Sequence, residues 1–345
     1  MDLVIPPEIM NAMIRMLVYG GIAFVLSFLL TPIFTFFAYK YKLWKKQRED
    51  DVSGKKIEVF TKLHAQKIKR NIPTMAGLIF VISITATTLI FNFSYNTYLP
   101  LAALLVGAIV GLVDDLINLF SDGIGKAGLR PWVKFGLITI AGLVFGWWFY
   151  DFLAVSSVKV PFDGAWELGI WIIPVFAFIV VATGNAVNIT DGLDGLAGGL
   201  LMLSFGAFGL IALLQGNFGI AVFCFTVVGA LLSYLWFNII PARFFMGDVG
   251  SFALGVSLGV VAMLTNSLFL LPIIGGVFVV ETASSLIQIL SKKLRHGKRI
   301  FKSAPLHHHL EASGWPEAKI TMRFWVIGGI LAIVGLIIAL EGGIV

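Results

Sequence analysis

The sequence predicts an all-α integral membrane protein, residues 1–345 forming one polytopic domain with about ten transmembrane helices and both termini outside. Three observations predict it. Hydrophobic residues make up 58% of the 345 and charged residues only 13%, a balance that soluble domains do not have. The apolar residues fall in long runs, each near the ~20 that a helix needs to cross a bilayer. The basic residues are confined to a few of the segments between runs, which fixes an orientation.

Ten runs follow one another at roughly 14–39, 75–96, 98–114, 131–150, 170–188, 198–214, 218–237, 247–266, 268–291 and 320–341. The first has neither a basic leader nor a small-residue cleavage motif and is expected to stay as a membrane helix. The second is entered through Lys69-Arg70-Asn-Ile-Pro73-Thr74-Met-Ala-Gly77, where Pro73 suits a first helical turn. The third is short and ends on Gly111-Leu-Val-Asp114-Asp115. Between the fourth and fifth, Val155–Phe162 alternates partly and leads to the turn signal Asp163-Gly164, which suits a small extracytoplasmic hairpin. The fifth passes into Asn185-Ala-Val-Asn188-Ile-Thr-Asp191-Gly-Leu-Asp194-Gly. Asp248, between Gly247 and Gly250, opens the eighth. In the ninth, Pro272, Gly275 and Gly276 bend or break a helix. Its Glu281, Ser284, Ser285 and Gln288 recur on one face, which suits hydrogen bonding inside the bundle more than lipid contact. Cys224, the single cysteine, lies within a run and makes no disulfide. No repeat of 20–50 residues and no low-complexity linker divides the chain.

Residues 40–70 hold eleven Lys/Arg and residues 292–323 hold eight, while Lys126, Arg130, Lys134 and Arg243 stand at two further borders. With ten crossings these all fall on one side, and only Arg15 and Lys159 fall opposite. The positive-inside rule makes the crowded side cytoplasmic. Asp114, Asp115, Asp191, Asp194 and Asp248 then share that side. Ionised groups at membrane borders are expensive and are retained for a task. An acidic site facing basic loops suits a magnesium ion and a phosphate-bearing substrate. Attraction to anionic lipid heads explains Lys40–Lys56 equally well.

Each motif has a plainer alternative. The carboxylates of Asp114 and Asp115 repel, which a metal or a cation relieves; they also suit a helix end paired with Lys126 or Arg130. Asp191 and Asp194 share a face if their segment is helical, its glycines allow close approach to a ligand, and Asn185 and Asn188 add amides; the alternative is an aspartate capping the next helix. Asp248 sits where a helix N-terminus favours anions, which helps place a phosphate once a metal offsets the carboxylate, or it is a simple cap. His307, His308 and His309 cannot all face one way, so two contact a ligand while one packs inward. Phosphate or carboxylate binding is favoured over zinc, whose companion Cys or His ligands are lacking apart from the distant His64 and His296. Lys69 is placed to meet an anion, or it snorkels to the interface.

Together and in this order, the motifs resemble the polyprenyl-phosphate N-acetylhexosamine-1-phosphate transferase superfamily over about 69–325. The runs Asn185–Ala197, Phe245–Ser251 and Pro305–Pro316 are the most specific. The triple histidine with Glu311, Gly314 and Trp315 is similar to the phospho-N-acetylmuramoyl-pentapeptide transferase branch rather than to the UDP-GlcNAc branches. The resemblance implies a ten-helix enzyme of the bacterial cytoplasmic (inner) membrane with a cytoplasmic active site. It implies transfer of phospho-MurNAc-pentapeptide from UDP-MurNAc-pentapeptide to undecaprenyl phosphate, giving lipid I and UMP for peptidoglycan, with Mg2+ required. It implies Asp248 as magnesium ligand and Asp114 with Asp115 as an acidic pair, Asp114 acting as base toward the lipid phosphate. Lys69, Thr74, Lys134, Asn185, Asn188, Asp191, Asp194 and Asn238 then line the nucleotide and phosphate site, Phe245 and Gly247 lie near the uracil, and His307, His308 and His309 form the catalytic histidine run. The partners implied are the two substrates and the bilayer, with no nucleic acid; a homodimer is compatible.

The chain departs from the family pattern at Asn118, where a lysine usually follows the second acid by three residues; Lys126 or Arg130 is the candidate replacement. The loop to Lys134 is longer than usual, and Asn71-Ile-Pro-Thr-Met-Ala-Gly77 stands where Gly-Thr-Pro-Thr-Met-Gly-Gly is common. A secondary transporter is the rival from another class, but transporters place ionisable groups near the midplane and often repeat their halves. Here the acids sit at span ends.

Overall fold

A computed structural model describes residues 6–44, 71–120 and 128–345. Lys69, Lys126, His64 and most of the 40–70 cations lie outside the described residues.

Each of the ten apolar runs folds as helix. They are α1 (Pro7–Lys40), α2 (Gly77–Phe91), α3 (Tyr98–Phe120), α4 (Pro131–Asp151), α5 (Ile172–Thr190), α6 (Leu196–Leu214), α7 (Phe218–Asn238), α8 (Gly247–Leu264), the broken pair α9 (Leu271–Ile274) and α10 (Gly276–Leu294), and α12 (Glu317–Glu341), with the short α11 (Leu306–Glu311) before the last. Among the described residues, eight stretches are long and apolar enough to cross a membrane; α2 is a shorter apolar helix. The ninth run breaks at Gly275, as Pro272 and the glycines imply. Helix α10 is two-faced. Leu286, Ile289 and Leu290 are exposed, while Glu281, Ser284, Gln288 and Ser291 are buried, the pattern of a helix with one side against protein.

Helix ends alternate between the two ends of the bundle. At one end the segment before α2 is stitched between its neighbours: Thr74 N donates to Leu43 O after α1 (2.8 Å), Phe245 N donates to Pro73 O (2.8 Å), and Ala76 N donates to Phe245 O (3.0 Å). At the other end the Gln215 side chain donates to Thr265 O (2.8 Å) and to Ile344 O (3.0 Å) near the C-terminus. Glu8, Asn11 and Arg15 of α1 gather there around Phe218, the first residue of α7. β1 (Ser157–Val160) pairs antiparallel with β2 (Gly164–Glu167), and Lys159 Nζ donates to Ile344 O (3.0 Å). Exposed Trp132 and Trp171 stand at opposite ends, as interfacial aromatics do.

Helix α8 is the axis, buried along nearly its whole length and flanked by α3, α5 and α2. Small residues permit this closeness, as membrane packing requires. A Cβ at Gly107 would lie 2.5 Å from Phe252 O, one at Gly111 would overlap the Asp248 carbonyl, and one at Gly77 would overlap the Gly250 backbone. Helices α1, α4 and α12 bury far less of themselves and form the lipid-facing shell.

Three local expectations are corrected. Pro73 is not in the first helical turn: α2 begins at Gly77, after Met75 turns the chain with a φ of 71°, because the Pro73 carbonyl is committed to Phe245. The third run does not stop at Asp114 but continues to Phe120, so the acidic pair sits inside α3. Asp191 and Asp194 do not share a helical face. Their segment is the turn between α5 and α6, and only Asp194 is buried there.

Candidate active site

Asp114 and Asp115 are consecutive on α3, so their side chains leave the helix about 100° apart. Gly111, one turn earlier, lets the start of α8 rest on α3. Asp115 is fully buried, and its Oδ2 accepts Val249 N at 3.0 Å. It thereby satisfies one of the backbone donors that a helix N-terminus leaves open. Gly247 makes this fit possible. Its φ is 71°, and a Cβ there would lie 2.5 Å from Asp115 Oδ2 and 2.8 Å from Thr74 Oγ1. Asp248 follows in the first turn of α8.

Lys134, in the first turns of α4, closes the cluster. Its Nζ lies 2.6 Å from Asp248 Oδ2 and 3.0 Å from Asp114 Oδ1, and 4.9 Å from the centre of the Phe252 ring. Asp114 has two further donors, Leu129 N to Oδ1 (2.8 Å) and Asn118 Nδ2 to Oδ2 (3.1 Å). Asn118 therefore contributes a neutral amide where the family pattern has a lysine. Among the described residues, the ammonium in contact with this carboxylate comes from Lys134, not from Arg130. Gly128, with a φ of 70°, allows the loop to come close: a Cβ there would lie 2.6 Å from Asp114 Oδ1.

Asp114, Asp115 and Asp248 each offer an oxygen within 4.8 Å of the others. Hard carboxylate oxygens suit Mg2+, which takes one or two carboxylates and completes its shell with waters and substrate phosphate, and Asp114 and Asp248 supply two beside an Asp115 already engaged by Val249 N. The residues present fit the ion.

The asparagines and remaining aspartates surround this cluster in different ways. Asn188 Nδ2 donates to Ser251 Oγ at 2.9 Å, one turn along α8 from Asp248. Asn185 Nδ2 bonds back to Val181 O in its own helix (2.8 Å). Asp191 ends α5 and is partly exposed. Asp194 and Asn238 brace the scaffold. Asp194 Oδ2 accepts Ala242 N (3.0 Å), Asn238 Oδ1 accepts Gly195 N (2.8 Å), and Asn238 Nδ2 donates to Phe244 O (2.8 Å). Together they pin the 239–246 loop, and with it Phe245 and Gly247, to the turn after α5. Glu317 Oε1 accepts Asp194 N at 2.7 Å and adds the start of α12 to the brace. Nothing local in the sequence marked Glu317 or the Leu129 amide, and the Phe245–Ser251 run stood out without showing that Val249 N would meet Asp115 or Ser251 would meet Asn188.

The histidines diverge as their adjacency requires. His307 is fully buried. Its Nδ1 is 2.9 Å from Glu281 Oε2, and its backbone N donates to Oε1 at 3.1 Å. Its Nε2 has no hydrogen-bond partner among the described residues and faces Gly192, where a Cβ would overlap it. His308 Nδ1 is 2.7 Å from Glu311 Oε2, and His309 Nδ1 accepts Lys302 N at 3.1 Å. The polar face of α10 thus holds the histidine segment: Gln288 also bonds Ile300 and Phe301, and Ser291 bonds Lys298. Removing one member of a buried pair strands the other. Glu281→Ala leaves the His307 donors buried without their acceptor and is expected to cost about 1–3 kcal/mol, read as a lowered unfolding midpoint in detergent, with Glu281→Gln milder because it keeps an acceptor.

Comparison with known proteins gives the family. The family model described as Glycosyl transferase family 4 matches residues 97–266, from the start of α3 past the end of α8. A phospho-N-acetylmuramoyl-pentapeptide-transferase of Chloroflexus aggregans is 38% identical over 96% of this chain and 91% of its own length. One of Bacillus mycoides is 38% identical over 94% of this chain and 97% of its own. With that identity sustained across nearly the whole of both chains, the protein belongs to the phospho-N-acetylmuramoyl-pentapeptide-transferase family.

Proposed function

We propose that the protein transfers phospho-MurNAc-pentapeptide from UDP-MurNAc-pentapeptide to undecaprenyl phosphate, giving lipid I and UMP, with Mg2+ at the Asp114–Asp115–Asp248 cluster. The observation that carries this reading is the convergence of three carboxylates and Lys134 at one end of the bundle, beside the Asp191–Asp194 turn. The Lys/Arg distribution supports a cytoplasmic placement of that end, where a nucleotide-linked donor is met.

Two anions must approach each other, a lipid phosphate and a diphosphate. Asp248, with Asp114 and Asp115, would hold Mg2+, which would supply neutralisation of the diphosphate charge. The residues of the chain position and balance the rest. Asp115 fixes the start of α8 through Val249 N and so sets where Asp248 stands. Lys134 contributes a fixed positive charge, and Lys69 and the histidines add donors to the phosphates. Asp114 takes the remaining proton from the lipid phosphate, whose oxygen attacks the sugar-side phosphorus. The bond from that phosphorus to the bridging oxygen breaks, and UMP leaves. Holding both reactants in line supplies much of the acceleration.

The test is UMP release from purified protein given UDP-MurNAc-pentapeptide, undecaprenyl phosphate and Mg2+. Turnover is expected with this donor; turnover of UDP-GlcNAc alone would assign the chain to a sister activity. Radiolabel retained covalently on the enzyme when lipid phosphate is withheld would replace direct attack with an aspartyl-phosphate route.

A further inference from the structure

We propose that Lys134 is an exchangeable counter-ion: its ammonium and the divalent cation alternate between Asp114 and Asp248, and the ammonium freed by the cation passes to the anionic substrate. The inference rests on the metal reading of the cluster and deepens it.

The geometry makes the two cations rivals. Lys134 Nζ contacts Asp248 Oδ2 and Asp114 Oδ1 at 2.6 and 3.0 Å, so it occupies the gap that an ion held by both carboxylates needs. Two cations on the same pair of oxygens repel at short range. The surroundings allow the ammonium to leave without disturbing the acids. Asp114 keeps Leu129 N on one oxygen and Asn118 Nδ2 on the other. Asp115 stays locked to Val249 N. Lys134 is 17% exposed, and in the same position it lies against the Phe252 ring, a surface that attracts an ammonium, so not all of its contacts are to the carboxylates. A lysine, with its flexible stem and point charge, suits such a move better than the planar arginine fork.

Charge gives the exchange a direction. With Lys134 in place the site is closed around its own cation. With a divalent ion in place, the carboxylates are neutralised and a free ammonium remains at the mouth, where a diphosphate needs it. Cation binding therefore precedes productive binding of the nucleotide sugar.

Mn2+ binding by the detergent-purified protein, followed by electron paramagnetic resonance without substrate, tests this. Lys134→Met is expected to bind Mn2+ about tenfold more tightly or better, Lys134→Arg to bind it no more tightly than wild type, and Asp248→Asn to lose binding. Lys134→Met affinity equal to or weaker than wild type overturns the exchange. Unchanged Mn2+ affinity in Asp248→Asn overturns the metal reading itself, a separate failure. The wild-type protein supplies a second readout that needs no variant. Mg2+ is expected to speed acetylation of Lys134 by acetic anhydride, measured by mass spectrometry, and an unchanged rate also overturns the exchange.

Discussion

Asp248→Asn is expected to leave the protein folded in detergent and to lower UMP release by roughly two to three orders of magnitude. The replacement has the same shape and keeps an oxygen for Lys134, which lies 2.6 Å from Asp248 Oδ2. It removes one negative charge from the three that gather within 4.8 Å. The start of α8 does not depend on that charge, because Val249 N is held by Asp115 and Gly247 is seated against Thr74 and Met75. Stability should therefore change little, and the loss should appear in turnover. Raising Mg2+ should recover part of it if the defect is in cation affinity. Turnover near the wild-type level at ordinary Mg2+ would remove Asp248 from the metal site.

The legible part of this molecule was the part written in composition and charge. Ten apolar runs became helices because length and hydropathy alone decide what can cross a bilayer. The Gly275 break followed from Pro272 and its glycines, and the inward turn of one histidine followed from three in a row. The gathering of Asp114, Asp115 and Asp248 was inferred from a shared side of the membrane, which sequence reports; distances it does not. What stayed hidden depends on tertiary partners. Asp191 and Asp194 looked equivalent, yet one is partly exposed and the other braces Ala242 N, because the intervening residues turn instead of continuing the helix. Asn118 looked like a missing lysine, and among the described residues the ammonium reaching Asp114 comes from Lys134 on the next helix. Glu281 was visible as a polar residue in a span. That it holds His307, 26 residues along the chain, was not.

Gly111→Ala is expected to cripple the enzyme without touching any group that meets a substrate. Here α3 and α8 cross with backbone against backbone, and an added methyl at Gly111 would fall on the Asp248 carbonyl and the Val249 Cα. Neither is the end of a flexible side chain, so the strain is relieved only by moving one helix off the other. Overpacking of this kind costs about 1–3 kcal/mol, which a lower unfolding midpoint in detergent would show. The larger effect is chemical. Asp114 and Asp115 ride on α3 and Asp248 rides on α8, so separating these helices opens the carboxylate cluster itself. A displacement of about 1 Å at a reacting centre costs on the order of a hundredfold in rate. Gly107→Ala supplies the control. It strains the same pair of helices one turn away, against Phe252 O and Ala253 Cα, farther from the carboxylates. It should lose comparable stability but clearly less activity. Equal activity losses in the two variants would mean that bundle stability, not the seating of Asp248 on Gly111, limits the reaction.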